Sequence, residues 1–179
     1  MDDRQSISIA VLTANQDDVE LVNRSLRDAG HAAHCHWVAN PNTLDDTLES
    51  RMVELIIINK DSYADTIRQV IEQKDAYMPE VPVVAVSKTV DEATIQEAMK
   101  QGACDLVSIG KKARLQAVVT RELRSYRVER ALNATISSAS AYQKPPRSPK
   151  SKEDCGNVGQ NDSSWSNVQS AAALITSAS

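Results

Sequence analysis

The stretch 53–61, VELIIINKD, is a short apolar, β-branched run that ends in polar residues, which is the pattern of a buried strand at the centre of an open α/β sheet. Ligands and chemistry in such sheets gather outside the carboxyl ends of the strands, so Asn59, which closes the run, stands where a reactive group is sought. A carboxylate there could hold a hard cation or act as an anionic nucleophile, and an amide can do neither. Asn59 therefore points away from catalysis and toward a regulatory or assembly module. Asp61 is the nearby carboxylate that could substitute as an acceptor. Lys60, Lys88, Lys111 and Lys112 all follow predicted strands and could together form an anion site, the plainer reading being a solvated rim.

Other groups of chemistry-bearing residues give weaker patterns. His31, His34, Cys35 and His36 are close in sequence, but on a strand His34 and His36 share one face while Cys35 points to the other. No fourth ligand follows at a sensible spacing, so no metal site is expected and solvated histidines are the simpler reading. The turn 13–16 lacks glycine and with it the fingerprint of a Rossmann or P-loop nucleotide site. No cofactor is expected. Cys104 reads as a small core residue ahead of a strand.

The elements that must position these residues follow from periodicity. Strands are predicted at 7–13, 33–38, 53–59, 81–87 and 104–109, the second being the weakest. Between them, Asn15 is a predicted cap for a helix carrying Val19, Val22 and Leu26, with acids in its first turns and Gly30 at its left-handed stop. Asn40-Pro41 opens a short helix to about residue 49. Ser62 and Asp65 have capping-box spacing before a helix to about residue 74, and Thr89 with Glu92 forms a box before a helix closed by Gly102. A last helix starts near Ala113. Five strand–helix pairs predict an α/β, doubly wound, flavodoxin-like sandwich with a five-stranded parallel sheet and right-handed crossovers.

Bulk properties bound the possibilities. A chain of 179 residues, 41% hydrophobic and 25% charged, allows one ordinary core, predicted here over 5–136. Beyond it, residues 137–179 are rich in Ser, Asn, Pro, Lys and Gly and lose periodicity, the composition of a disordered tail or linker. A net charge of -4 argues against nucleic acid as a partner. Three cysteines without CxxC spacing, no apolar run long enough to insert in a membrane and no recognisable export signal at the N-terminus lead to a cytoplasmic expectation.

The element order, with ELIIIN at 54–59, VVAVS at 83–87 and QGACDLV at 101–107, resembles the receiver domain of two-component response regulators over roughly 5–133. In that family an acidic pair after the first strand holds Mg²⁺, an aspartate ending the third strand takes a phosphoryl group, a Thr or Ser ends the fourth, and a Lys before Pro ends the fifth. Those positions fall on Thr13 and Ala14, on Asn59, on Ser87, and on Ile109 and Gly110. Only Ser87 fits. Metal, acceptor and counter-ion are lost together, so the resemblance implies a pseudo-receiver, a non-enzymatic regulatory domain. Two readings compete with it: a phosphorylatable receiver using Asp61, and a flavodoxin-like small-molecule binder.

The exit 111–133 is similar to that following degenerate receivers at the N-terminus of FimX-like cyclic-di-GMP proteins. Those continue into PAS, GGDEF and EAL domains and act in type IV pilus assembly and twitching motility. The resemblance implies that the chain is the N-terminal part of such a protein, with downstream signalling domains or a protein partner as its output. The last helix keeps its apolar residues going through Leu123, Val128 and Leu132, while Arg121, Arg124, Arg127 and Arg130 mark a solvated basic stripe. Such an overhang predicts a parallel homodimer with Leu123, Val128 and Leu132 at the contact.

Overall fold

The computed structural model describes residues 6–63 and 65–142, with side chains through residue 139. Strand β1 (Ile7–Leu12) leads into α1 (Gln16–Asp28), β2 (Ala33–Val38), a 3-10 turn (Pro41–Thr43) and α2 (Leu44–Ser50). Then come β3 (Leu55–Asn59), α3 (Ile67–Tyr77), β4 (Val83–Ser87), α4 (Glu92–Lys100), β5 (Asp105–Ser108) and α5 (Lys112–Tyr142). All pairings are parallel and the strand order is β2-β1-β3-β4-β5. The predicted doubly wound (βα)5 sheet with an extended last helix is the observed one.

Strand alternation sorts the apolar residues to two faces. Ile9, Val11, Leu55, Ile57, Val84, Val86 and Val107 pack with Val19, Val22 and Leu26 of α1 and Leu115, Val118, Val119 and Leu123 of α5. Ala10, Leu12, Ile56, Ile58, Val83, Ala85 and Leu106 pack with Leu44 and Leu48 of α2, Ile67 and Val70 of α3 and Ala98 of α4. β3 is buried at every position, because it is central in the sheet and covered on both faces. A layer of helices on each side is what leaves the carboxyl ends of the strands as the open crevice.

Local signals mostly act where expected. Asn15 accepts from the Asp17 amide and Asn40 from the Asn42 amide, and Gly30 and Gly102 carry positive φ at helix ends. Two caps differ. At α3, Thr66 stands at the cap position without a side-chain bond, and the helix begins at Ile67 rather than from a Ser62–Asp65 box. At α4 the box is made by Asp91, which accepts from the Thr94 amide at 2.7 Å, and by Thr94, whose hydroxyl accepts from the Asp91 amide at 3.0 Å. Hydrogen bonding from Thr94, its backbone amide first and its side chain second, holds the Asp91 carboxyl below its ordinary pKa. Thr89, predicted to cap, is bound instead through its backbone to the Ser87 hydroxyl.

The predicted boundary at 137 is also corrected, since α5 runs on to Tyr142. Thr135 and Ser138 donate to the carbonyls of Ala131 and Ala134 one turn back, so these hydroxyls follow the helix instead of breaking it. Residue 5 and the rest of the predicted tail, 143–179, lie outside the described residues. Among the described residues no helix is long and apolar enough to cross a membrane.

Two expectations for α5 change. Leu123 is 3% exposed inside the core, whereas Val128 and Leu132 are 62% and 58% exposed, so Leu123 is removed from the predicted dimer contact. The arginine stripe is broken as well: Arg127 pairs with Glu54 at 3.0 Å, and Arg121 with Glu122 at 2.7 Å and Asp105 at 3.4 Å. Asp105 is nearly buried, and an unpaired charge there would be costly, which draws Arg121 and Arg114 toward it.

Candidate functional site

The strand ends bring Thr13, Asn59 and Ser87 to one rim of the sheet, and all three are buried, at 0%, 3% and 3% exposure. Thr13 follows β1, and its amide continues the ladder by donating to the Val38 carbonyl at 3.2 Å. Its carbonyl accepts from the Trp37 indole at 2.8 Å. Its hydroxyl donates to Asp18 Oδ2 at 2.8 Å. Asn59 Nδ2 donates to the same oxygen at 2.7 Å, so one carboxylate of α1 gathers the ends of β1 and β3.

Asn59 has a second tie. Its Oδ1 accepts from the Asp61 amide at 2.9 Å, an Asx turn that swings the chain back across the rim. The Asp61 carboxylate is thereby placed over the end of β4. Ser87 Oγ lies 2.6 Å from Asp61 Oδ1 and 2.8 Å from the Thr89 carbonyl, and having one proton it donates to the charged, shorter partner. Asp61 Oδ2 accepts from the Lys88 amide at 2.7 Å. A chain of bonds thus runs Thr13, Asp18, Asn59, Asp61, and from Asp61 branches to Ser87 and to the Lys88 amide.

Two of the five predicted positions stay outside this chain of side-chain bonds. Ala14 is exposed and has only a methyl group. Ile109 lies buried in the core beside α1 and α5, and its amide donates to the Ser87 carbonyl at 2.9 Å. The two carboxylates that matter most, Asp18 and Asp61, came from different sequence signals. Asp61 was visible as the nearby acid. Asp18 reads in sequence as a helix-dipole acid, and its position on the third residue of α1, facing β3, is what turns it to the rim.

One of the four predicted lysines has a partner of its own. Lys112 reaches back along α1 and pairs with Asp28, which removes it from the predicted anion group. Lys60, Lys88 and Lys111 follow β3, β4 and β5, with Lys88 and Lys111 exposed and Lys60 partly so. The histidines have separate hydrogen-bond partners. His31 bonds to the Thr120 hydroxyl at 3.0 Å and His36 to the Ser8 hydroxyl at 2.9 Å. Cys35 turns to the core, where burial pushes its thiol up to about 11. Cys104 is half-buried, not fully in the core, with its thiol raised first by burial.

Chemically, the rim offers two carboxylates, two hydroxyls and an amide, each already bonded to another. Among the described residues no group of three or more His, Cys, Asp and Glu is placed to hold a metal ion.

No family model matches the sequence, and no curated protein matches it. Solved structures do. NtrX from Brucella abortus superposes with a TM-score of 0.61 at 22% identity, over 73% of this chain and 29% of that one. A response regulator from Thermotoga maritima gives 0.58 at 18% identity, over 66% of this chain and 98% of its own length. The receiver domain of NtrX from Brucella abortus gives 0.54 at 25% identity, over 65% and 98%. The chain spans under a third of the longer NtrX structure and nearly all of the isolated domains. The fold built on the order β2-β1-β3-β4-β5 is therefore the flavodoxin-like fold of response-regulator receiver domains.

Proposed function

We propose that the chain is a pseudo-receiver: a non-catalytic signalling module of receiver fold that acts by docking, as a homodimer through α5 and on downstream domains or a protein partner. The observation that carries this reading is the Asn59 to Asp18 bond of 2.7 Å. A neutral donor closes β3 where an acceptor chemistry would need an anionic oxygen, and Thr13 and Ala14 supply no carboxylate for a hard cation. Ile109 supplies no cation for a phosphate. The resemblance to FimX-like proteins is the ground for a cyclic-di-GMP output, acting in the cytoplasm in type IV pilus function and twitching motility.

The homodimer is supported by the exposed seam of Val128 and Leu132. In a parallel two-stranded arrangement with Ser125, Val128 and Leu132 in the seam, Arg124 of one copy flanks Glu129 of the other, an attractive pair between exposed residues.

The competing reading is phosphorylation on Asp61. Against it stands the engagement of both Asp61 oxygens, by Ser87 and by the Lys88 amide. Incubation with acetyl phosphate and Mg²⁺, followed by intact mass, separates the two. The docking reading expects no adduct. An acid-labile phosphate that disappears in Asp61→Asn would establish the other reading.

A further inference from the structure

Strand β2 lies at one edge of the sheet and β5 at the other, and the two edges are built differently. β5 has four residues, with the nearly buried Asp105 drawing Arg114 and Arg121 to it, and short length and charge are what guard an edge against a second strand. β2 has six residues, Ala33 to Val38, and no Lys, Arg, Asp, Glu or Pro among them. The carbonyls of Ala32 and Val38 accept from the Ile7 and Thr13 amides, so the even-numbered residues turn their backbone groups to β1 while Ala33, Cys35 and Trp37 turn theirs outward. The Ala33 amide bends back to the His31 carbonyl at 3.0 Å, which leaves the Cys35 and Trp37 amides without a backbone partner among the described residues.

The side chains add a second pattern. His34 and His36 share one face of β2, and Cys35 points to the other, into the core. His34 is exposed and close enough for its charge to act on His36, whose Nε2 lies 2.9 Å from the Ser8 hydroxyl. With Nε2–H donating to Ser8, Nδ1 keeps the lone pair that a metal takes, the arrangement in which a second partner fixes the tautomer of a ligating imidazole. Burial, then Arg51 and His34, favour the neutral ring that ligation requires. Two imidazoles are half of a tetrahedral zinc set, and among the described residues one chain brings no third ligand to them.

We propose that β2 is a metal-dependent self-association edge: two copies pair antiparallel through it, and His34 and His36 of both bind one Zn²⁺. The outward groups set the register. Pairing about Cys35 puts Ala33 opposite Trp37 and His34 opposite His36, with directly opposed residues on one face and their Cβ atoms about 5 Å apart. All four imidazoles then stand together, while on the other face the half-exposed Trp37 meets a small residue. This contact is separate from the α5 seam and does not depend on it.

The full chain carrying Val128→Glu and Leu132→Glu tests it by light scattering at tens of micromolar. Its mass in EDTA reads the α5 seam, and half an equivalent of ZnCl₂ per chain should double that mass, whereas MgCl₂ should not. Zinc should also slow exchange at the Cys35 and Trp37 amides by about tenfold, the effect of one new hydrogen bond each, and leave the His34 and His36 amides as they were. Adding His34→Gln, at an exposed position, should leave circular dichroism unchanged and abolish the doubling, as should His36→Gln. A mass that zinc does not change, doubling that persists in either glutamine variant, doubling by magnesium, or doubling with unaltered exchange at Cys35 and Trp37 would overturn the proposal.

Discussion

Asn59 Nδ2 and Asp18 Oδ2 lie 2.7 Å apart, and this bond decides which of the two positions carries the charge. Asn59→Asp puts two carboxylates in contact at a site that is 3% exposed. One of them must then hold a proton, so its pKa rises in the folded state above the ordinary carboxylate value of about 4. A raised acid pKa means that the unfolded chain releases its proton first, and stability falls as pH increases above about 4. At pH 7 the loss should be about 2 to 4 kcal/mol by urea unfolding. Adding Asp18→Asn restores a donor and acceptor with reversed polarity and should recover most of the loss. The single variant should also gain no Mg²⁺-dependent labelling by acetyl phosphate, because Thr13, Ala14 and Ile109 are unchanged.

Leu123 and Leu132 lie on the same helix and should respond differently. Leu123→Ala opens space in a closed core and should cost about 3 kcal/mol. Leu132→Ala, at an exposed position, should stay within about 0.5 kcal/mol at low protein concentration. Equal losses in thermal unfolding would contradict the burial described for α5.

The oligomeric state follows from the same contrast. Light scattering of the full chain at tens of micromolar should give a dimer, and Val128→Glu with Leu132→Glu should give a monomer of unchanged circular dichroism. A monomeric wild type, or a dimer that tolerates both glutamates, would rule out the α5 seam.

His36 supplies a pH dependence of opposite sign to Asn59→Asp. Burial first, then Arg51 and His34, hold its folded pKa below the ordinary value of about 6.5. The neutral ring is favoured by folding, so its contribution is present above that value and is lost as pH falls through the folded pKa. His36→Gln should flatten the change in urea midpoint between neutral pH and pH 5. A wild-type midpoint that rises on acidification over that interval would contradict the assignment.

Most of the architecture was legible because burial on two faces imposes a strong pattern. The run 55–59 is apolar at four of five positions, and its shortness and β-branched content fit a strand buried on both faces. What periodicity could not resolve was the end of the sheet. Leu115, Val118, Val119, Leu123 and Tyr126 form one buried stripe, but Val128 is turned about 140° from Leu123, and Leu132 about 180°, at 3.6 residues per turn. Counting them as one stripe placed a core leucine on a contact surface. The site was legible by position but not by partnership. Asn59, Thr13 and Ser87 were found as strand ends, whereas the roles of Asp18 and Asp61 depend on which way a helix turn and an Asx turn face in space, and neither direction is encoded locally.

The length of α5 has a mechanical consequence. A helix of 31 residues is about 46 Å long, clamped in the core up to Tyr126 and exposed from Val128 through Ala139, with Asn133 donating to Glu80 as a last tie to the domain. It is a cantilever, and a stiff one transmits angle as well as distance. Removing one residue between Val128 and Ser138 would shorten it by about 1.5 Å and turn everything beyond by about 100°, while removing seven would shorten it by about 10 Å and nearly restore the original phase. The phase of this rod, rather than its surface chemistry, would then set how any attached domain is aimed.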